Sequence, residues 1–182
     1  MQQFKAKETP ILRLVSDAFL TEARKQNPAT DVALSVSGYT RDTLWKGQKG
    51  DISLADIFRI LSLGASPTDG TLAHPMILVG LSRDELKGLL ELTGMSYLRE
   101  DSVDYYTLPA GMYLEFNPSL ITDPTAPNSI TKIRYAHAAN NDVCDGDVLY
   151  DSTKTTNGGY LPDGYGDATA KRTVCKGPLC EQ

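Results

Sequence analysis

The run from residue 34 to 64 constrains the fold more than any other part of this 182-residue chain. Val32-Ala33-Leu34-Ser35-Val36, bounded by Asp31 and Gly38, has the apolar, β-branched character of a short strand buried on both faces. Ser37-Gly38-Tyr39-Thr40-Arg41 follows as a glycine loop that delivers one arginine at the strand end, and a Lys/Gly turn comes next. Ser53 with Asp56 three residues on forms a shortened capping box, so a short helix starts there, and Ile57, Phe58, Ile60 and Leu61 predict that it is mostly buried.

The flanking segments complete a strand and helix pattern. Thr9-Pro10 supplies an N-cap and a first-turn proline, after which Leu12, Val15, Phe19 and Ala23 recur at helical spacing until Asn27-Pro28, predicting a helix over roughly 10–26. Pro75 to Leu81 reads as a second apolar strand running into Ser82-Arg83-Asp84-Glu85, a full capping box, and then a helix to Gly94. From Val103 the pattern turns to strands, 103–108 and 112–116, with Pro109-Ala110-Gly111 as a hairpin turn, and Ile130 to Tyr135 alternates as another strand. The predicted class is α+β: a mixed sheet from the 32–36, 76–81 and 131–135 strands, three packed helices and an antiparallel hairpin. Residues 1–137 form the core on this reading, and 138–182 an irregular Asp/Gly/Thr-rich tail of the same domain, where only Val148-Leu149-Tyr150 and Thr173-Val174 hint at strand.

Composition removes several classes. A net charge of −5 argues against a nucleic-acid polymer as partner, since such partners are held largely through their phosphates. No apolar run approaches the roughly 20 residues of a membrane span, and residues 1–7 lack the apolar core of a signal peptide. All three cysteines lie late in the chain; a disulfide from Cys144 to Cys175 or to Cys180 fits an oxidising compartment, and three free thiols fit a reducing one. Catalysis on this chain alone is not expected. A two-metal phosphoesterase centre needs clustered Asp, His and Asn ligands, and the chain has two histidines, His74 and His137, in unrelated contexts. Asp142, Asp145 and Asp147 could gather oxygens around calcium, although their spacing is not that of an EF-hand, and the plainer reading is a solvated acidic loop.

Four segments in order resemble the 5'-nucleotidase C-terminal domain family, covering roughly residues 9–135. Arg13-Leu14-Val15-Ser16-Asp17-Ala18 resembles its Gly-Asn/Arg-Leu-x-x-Asp-Ala helix, and Ser37 to Arg41 resembles its Asn-x-Gly-Gly-Ile-Arg loop. Gly50 to Ile57 resembles its Gly-x-Ile-Thr/Ser-x-x-Asp-Leu/Ile segment, and Met76 to Gly94 looks like its next strand and helix pair. The resemblance implies a domain that receives a nucleoside or nucleotide, while a separate N-terminal metallophosphoesterase domain, absent from this chain, holds two divalent metals and cleaves the ester. It implies a periplasmic or extracellular protein.

By the same resemblance Arg41, with Ser37, Gly38 and Tyr39 beside it, would meet the phosphate or ribose side of the substrate, and Arg13 could add a second polar contact. A guanidinium suits that task because its fork matches phosphate and carboxylate oxygens; the plainer reading is a surface arginine at a turn. The departures matter. Val36 replaces the family's leading Asn, Tyr39 its second glycine, and Leu63 the Phe that forms one face of an aromatic clamp. Leu63 offers apolar contact without a π face, and Tyr39 is a candidate replacement ring. Asp163, in Gly158-Gly159-Tyr160-Leu161-Pro162-Asp163-Gly164-Tyr165, stands near the family's ribose-binding aspartate signature with three residues inserted; a glycine-rich turn is the plainer reading. The alternative to substrate recognition is a non-catalytic binding or structural module that keeps the fold without the clamp. A related two-domain hydrolase acting on another ester is a third reading.

Overall fold

The computed structural model describes residues 9–44, 50–61, 70, 76–98, 106–122, 128–135, 148–154 and 172–176. Helix α1, Pro10–Gln26, starts where the sequence places it, with Thr9 Oγ1 accepting from the Leu12 N–H and proline in the first turn. Its buried face, Leu12, Val15, Ser16, Leu20 and Ala23, repeats at three and four residues and lies against strand β1, Val32–Val36. Arg24 holds the connection between them, its Nε 3.0 Å from the Thr30 carbonyl.

Strand β1 is the hub. Residues 32–35 are all buried, and alternate side chains enter different cores. Val32 and Leu34 pack with Leu86 and Leu90 of helix α3, Arg83–Leu98, and with the second sheet; Ala33 packs with Leu20 and Ala23 of α1. Along its backbone β1 pairs antiparallel with β3, Thr107–Ala110, and parallel with β7, Arg172–Lys176. Strand β7 in turn pairs antiparallel with β2, Ile77–Leu81, so the first sheet is mixed and ordered β2-β7-β1-β3. The second sheet, β4 Met112–Phe116, β5 Ile130–Tyr135 and β6 Val148–Asp151, is antiparallel throughout.

The α+β class, the mixed sheet and the three helices are therefore as read from the sequence, and both strand hints late in the chain are real strands. Several details differ. Strands β3 and β4 do not form a hairpin: β3 pairs with β1 and β4 with β5, so the chain passes from one sheet to the other at Gly111. Pro109 is a strand residue here, tolerated because β3 lies at the edge of its sheet, where a missing N–H breaks no ladder. The 131–135 strand belongs to the second sheet rather than the first. Helix α2, Leu54–Ile60, has its capping box but buries only Ile60; Leu54 is 83% exposed and Phe58 39%. Helix α3 runs past Gly94 to Leu98.

Two local features join the sheets. Gly111 has φ +83, and a Cβ there would sit 2.5 Å from the Asp31 carbonyl oxygen. Only glycine meets both conditions. On α3, Glu91 is 3% exposed and accepts from the Ser129 N–H at 2.7 Å, the Ser129 hydroxyl at 2.6 Å and the Ile130 N–H at 3.0 Å. Lys87 completes the set at 2.9 Å, also reaches Asn128 Oδ1, and stands over the Tyr150 ring. A buried carboxylate with every partner supplied locks α3 to the start of β5.

Truncating one member of such a network is costly because it strands the others. Glu91→Ala is expected to lower unfolding free energy by about 3–5 kcal/mol in urea melts. Gly111→Ala is expected to cost more than about 2 kcal/mol, the left-handed penalty plus the contact with Asp31; a melt unchanged from wild type would contradict the strand-to-strand passage described here.

Candidate functional site

The loop singled out by the sequence begins where β1 ends. Ser37–Tyr39 makes one 3-10 turn, with the Thr40 N–H donating to the Ser37 carbonyl at 2.9 Å. The Ser37 N–H donates to the Tyr106 carbonyl at 2.8 Å, which continues the β1–β3 ladder by one more bond. The Arg41 N–H donates to the Ile60 carbonyl at 2.8 Å. That carbonyl is one of the last of α2 and has no partner within its helix, so the loop backbone closes the helix end. Arg59 in the same last turn pairs with Asp42 and donates to the Thr43 carbonyl at 3.4 Å.

Arg41 itself is exposed, and among the described residues its guanidinium has no hydrogen-bond or ion-pair partner. Tyr39, Ser37 and Gly38 are half-buried next to it. Arg13 comes from α1. Its Nη1 lies 3.4 Å from the Pro109 carbonyl, while Leu12 beside it packs with Tyr106 and Leu108. The segment 106–109 thus carries both the Ser37 anchor and the Arg13 contact. Below them, Ser16 Oγ donates to or bonds with the Leu12 carbonyl, the Leu108 carbonyl and the Ser35 hydroxyl, all buried, tying α1, β1 and β3 together. These partners are carbonyls and a second hydroxyl, none of them a base able to activate Ser16, so the cluster is structural.

Leu63, Asp163, Asp142, Asp145, Asp147, Cys144 and Cys180 lie outside the described residues, as do His74 and His137. Cys175 falls in β7, described by its backbone alone, so its pairing lies outside them too. Among the described residues no group of three or more His, Cys, Asp or Glu side chains could hold a metal ion, and no helix is long and apolar enough to cross a membrane. Nothing in the sequence marks the Asp42–Arg59 brace or the Tyr106 and Ile60 carbonyl anchors. The brace spans 17 residues of chain, and main-chain acceptors leave no trace in side-chain identity.

An α+β domain that sets an exposed arginine on a glycine loop at the end of a doubly buried strand is the class these observations define. The 5'-nucleotidase C-terminal domain family matches residues 1–144, and the chain belongs to that family. A 5'-nucleotidase precursor from Thermus thermophilus has a similar structure, with a TM-score of 0.63 at 18% identity over 97% of this chain and 27% of its own. The NAD nucleotidase of Haemophilus influenzae superposes with a TM-score of 0.55 at 11% identity over 90% of this chain and 23% of its own. This chain therefore spans about a quarter of the length of either. A comparison with curated protein sequences finds no match.

Asp56 provides a pH test of the helix behind the loop. Hydrogen bonds from the Ser53 hydroxyl and then the Ser53 N–H hold its carboxyl below the ordinary aspartate range. A lowered folded pKa means the cap is intact at neutral pH and is lost as pH falls through that value. In an NMR titration the Ser53 amide signal is expected to move with a midpoint below that of an unpaired aspartate; a midpoint at or above it would exclude the capping box.

Proposed function

We propose that this domain recognises a nucleoside or nucleotide for a 5'-nucleotidase-like phosphoesterase whose two-metal catalytic domain lies elsewhere in the native protein or on a partner. The observation that carries the reading is Arg41: an exposed guanidinium, without a partner among the described residues, on a loop whose backbone is tied to β3 and α2. When these bonds are closed they set where the fork is presented, and the charge remains available for an anionic ligand. Family membership, and neighbours about four times as long whose names are those of nucleotidases, support a divided labour of this kind.

On this reading Arg41 meets the phosphate or ribose side, Ser37 and Gly38 bring the backbone close, Arg13 adds a second cation from α1, and Tyr39 offers its ring to the base in place of the aromatic that Leu63 lacks. Asp163 is a candidate for the ribose hydroxyls. The two divalent metals belong to the other domain and would polarise the phosphate and the attacking water there; no step is carried out by this chain. A periplasmic or extracellular setting accords with the "precursor" in one neighbour's name, and would allow Cys144 to pair with Cys175 or Cys180. A module that keeps the fold without binding nucleosides is the second reading, favoured by one observation: Arg13 Nη1 points at the Pro109 carbonyl, a structural use of that cation.

Isothermal titration with adenosine and AMP separates the two. Arg41→Ala is expected to weaken AMP about 10–100-fold, the worth of a charge-assisted contact, and adenosine less. Tyr39→Ala is expected to weaken both ligands. Absence of AMP binding by the wild type, in the presence or absence of a metallophosphoesterase domain, would favour the structural module.

A further inference from the structure

We propose that residues 40–43 and helix α2 come apart from one another locally, breaking the bond between the Arg41 N–H and the Ile60 carbonyl, while the sheets stay intact. The inference stands on packing and holds whether or not the ligand reading does.

Three observations converge on it. Thr40 Oγ1 is buried and, among the described residues, has no hydrogen-bond partner. A hydroxyl in that state has lost its water and gained nothing in return, so the closed seating is destabilised relative to one in which the group is wet. Helix α2 buries only Ile60, while Ile52 and Leu54 before and within it are 49% and 83% exposed and Phe58 is 39% exposed. A seven-residue helix cannot hold itself together in water, and here one buried side chain does most of what tertiary packing contributes. Among the described residues the other ties are the Thr40 N–H to the Ser37 carbonyl, the Arg41 N–H to the Ile60 carbonyl, the long Arg59 bond to the Thr43 carbonyl, and the Asp42–Arg59 pair, whose side chains are 42% and 44% exposed. Exposed pairs of that kind hold little.

The contrast with α3 is direct. Leu86 and Leu90 are fully buried and Glu91 is locked by four partners, so α3 opens only with the molecule as a whole. The structure thus pairs a firm scaffold with a lightly seated segment that carries Arg41. Threonine at position 40 sets the balance: valine has the same shape without the unpaired oxygen.

Native-state amide hydrogen exchange tests this on the whole chain. In the wild type the Arg41 amide is expected to exchange at least about 100-fold faster than the Leu90 amide, despite its hydrogen bond. Thr40→Val is expected to slow Arg41 exchange about tenfold and leave Leu90 within about twofold after correction for any change in global stability. Arg41 protection equal to that of Leu90 in the wild type would overturn the proposal, whatever the variant does. Unchanged Arg41 exchange in a folded Thr40→Val protein would also overturn it.

Discussion

Everything in this fold hangs on β1 being used on all four sides. Its two faces enter separate cores, Val32 and Leu34 toward α3 and the second sheet, Ala33 toward α1, and its two edges are taken by β3 and β7. A strand so enclosed cannot slip by one residue without driving an entire set of apolar side chains into the wrong core. The position at which the chain leaves β1 is therefore defined, and the 37–41 loop begins there.

The polar contacts divide by depth, and magnitude decides which of them matter. Glu91 and Ser16 are buried, fully partnered and shared between elements, so each is worth far more to the fold than its geometry would be at the surface. The Asp42–Arg59 pair has comparable geometry in the open, where solvent screens it and about 1 kcal/mol is an upper figure. The outcome is a graded structure: strong ties between α1, α3 and the two sheets, weaker ones between the arginine loop and α2. Such a gradient suits a recognition surface, since a ligand can complete what the fold leaves loosely fastened.

Local signals in the sequence translate directly into structure, and non-local ones do not. Thr9-Pro10, Ser53 with Asp56, and Ser82 with Glu85 each act within a few residues, and each begins a helix. The run 32–36 announces burial on both faces because no polar alternation interrupts it beyond Ser35. By contrast, Pro109-Ala110-Gly111 carries the letters of a hairpin turn, and what prevents the hairpin is that β1, more than seventy residues earlier, claims β3 first. The apolar residues of α2 suggest burial, yet no element packs its outer face among the described residues. At the candidate site, Arg41 is legible from its glycine loop; its seat is not, because the seat consists of the Tyr106 and Ile60 carbonyls, which any residue could provide.

If Arg41 is the group that meets an anionic ligand, its own signal must report the binding. NMR of the arginine Nε–H signals during an AMP titration tests it most directly, with Arg24, held against the Thr30 carbonyl at the far end of α1, as the internal reference. A saturable shift of the Arg41 signal with Arg24 unmoved is expected. Saturable binding that leaves the Arg41 signal in place would contradict it.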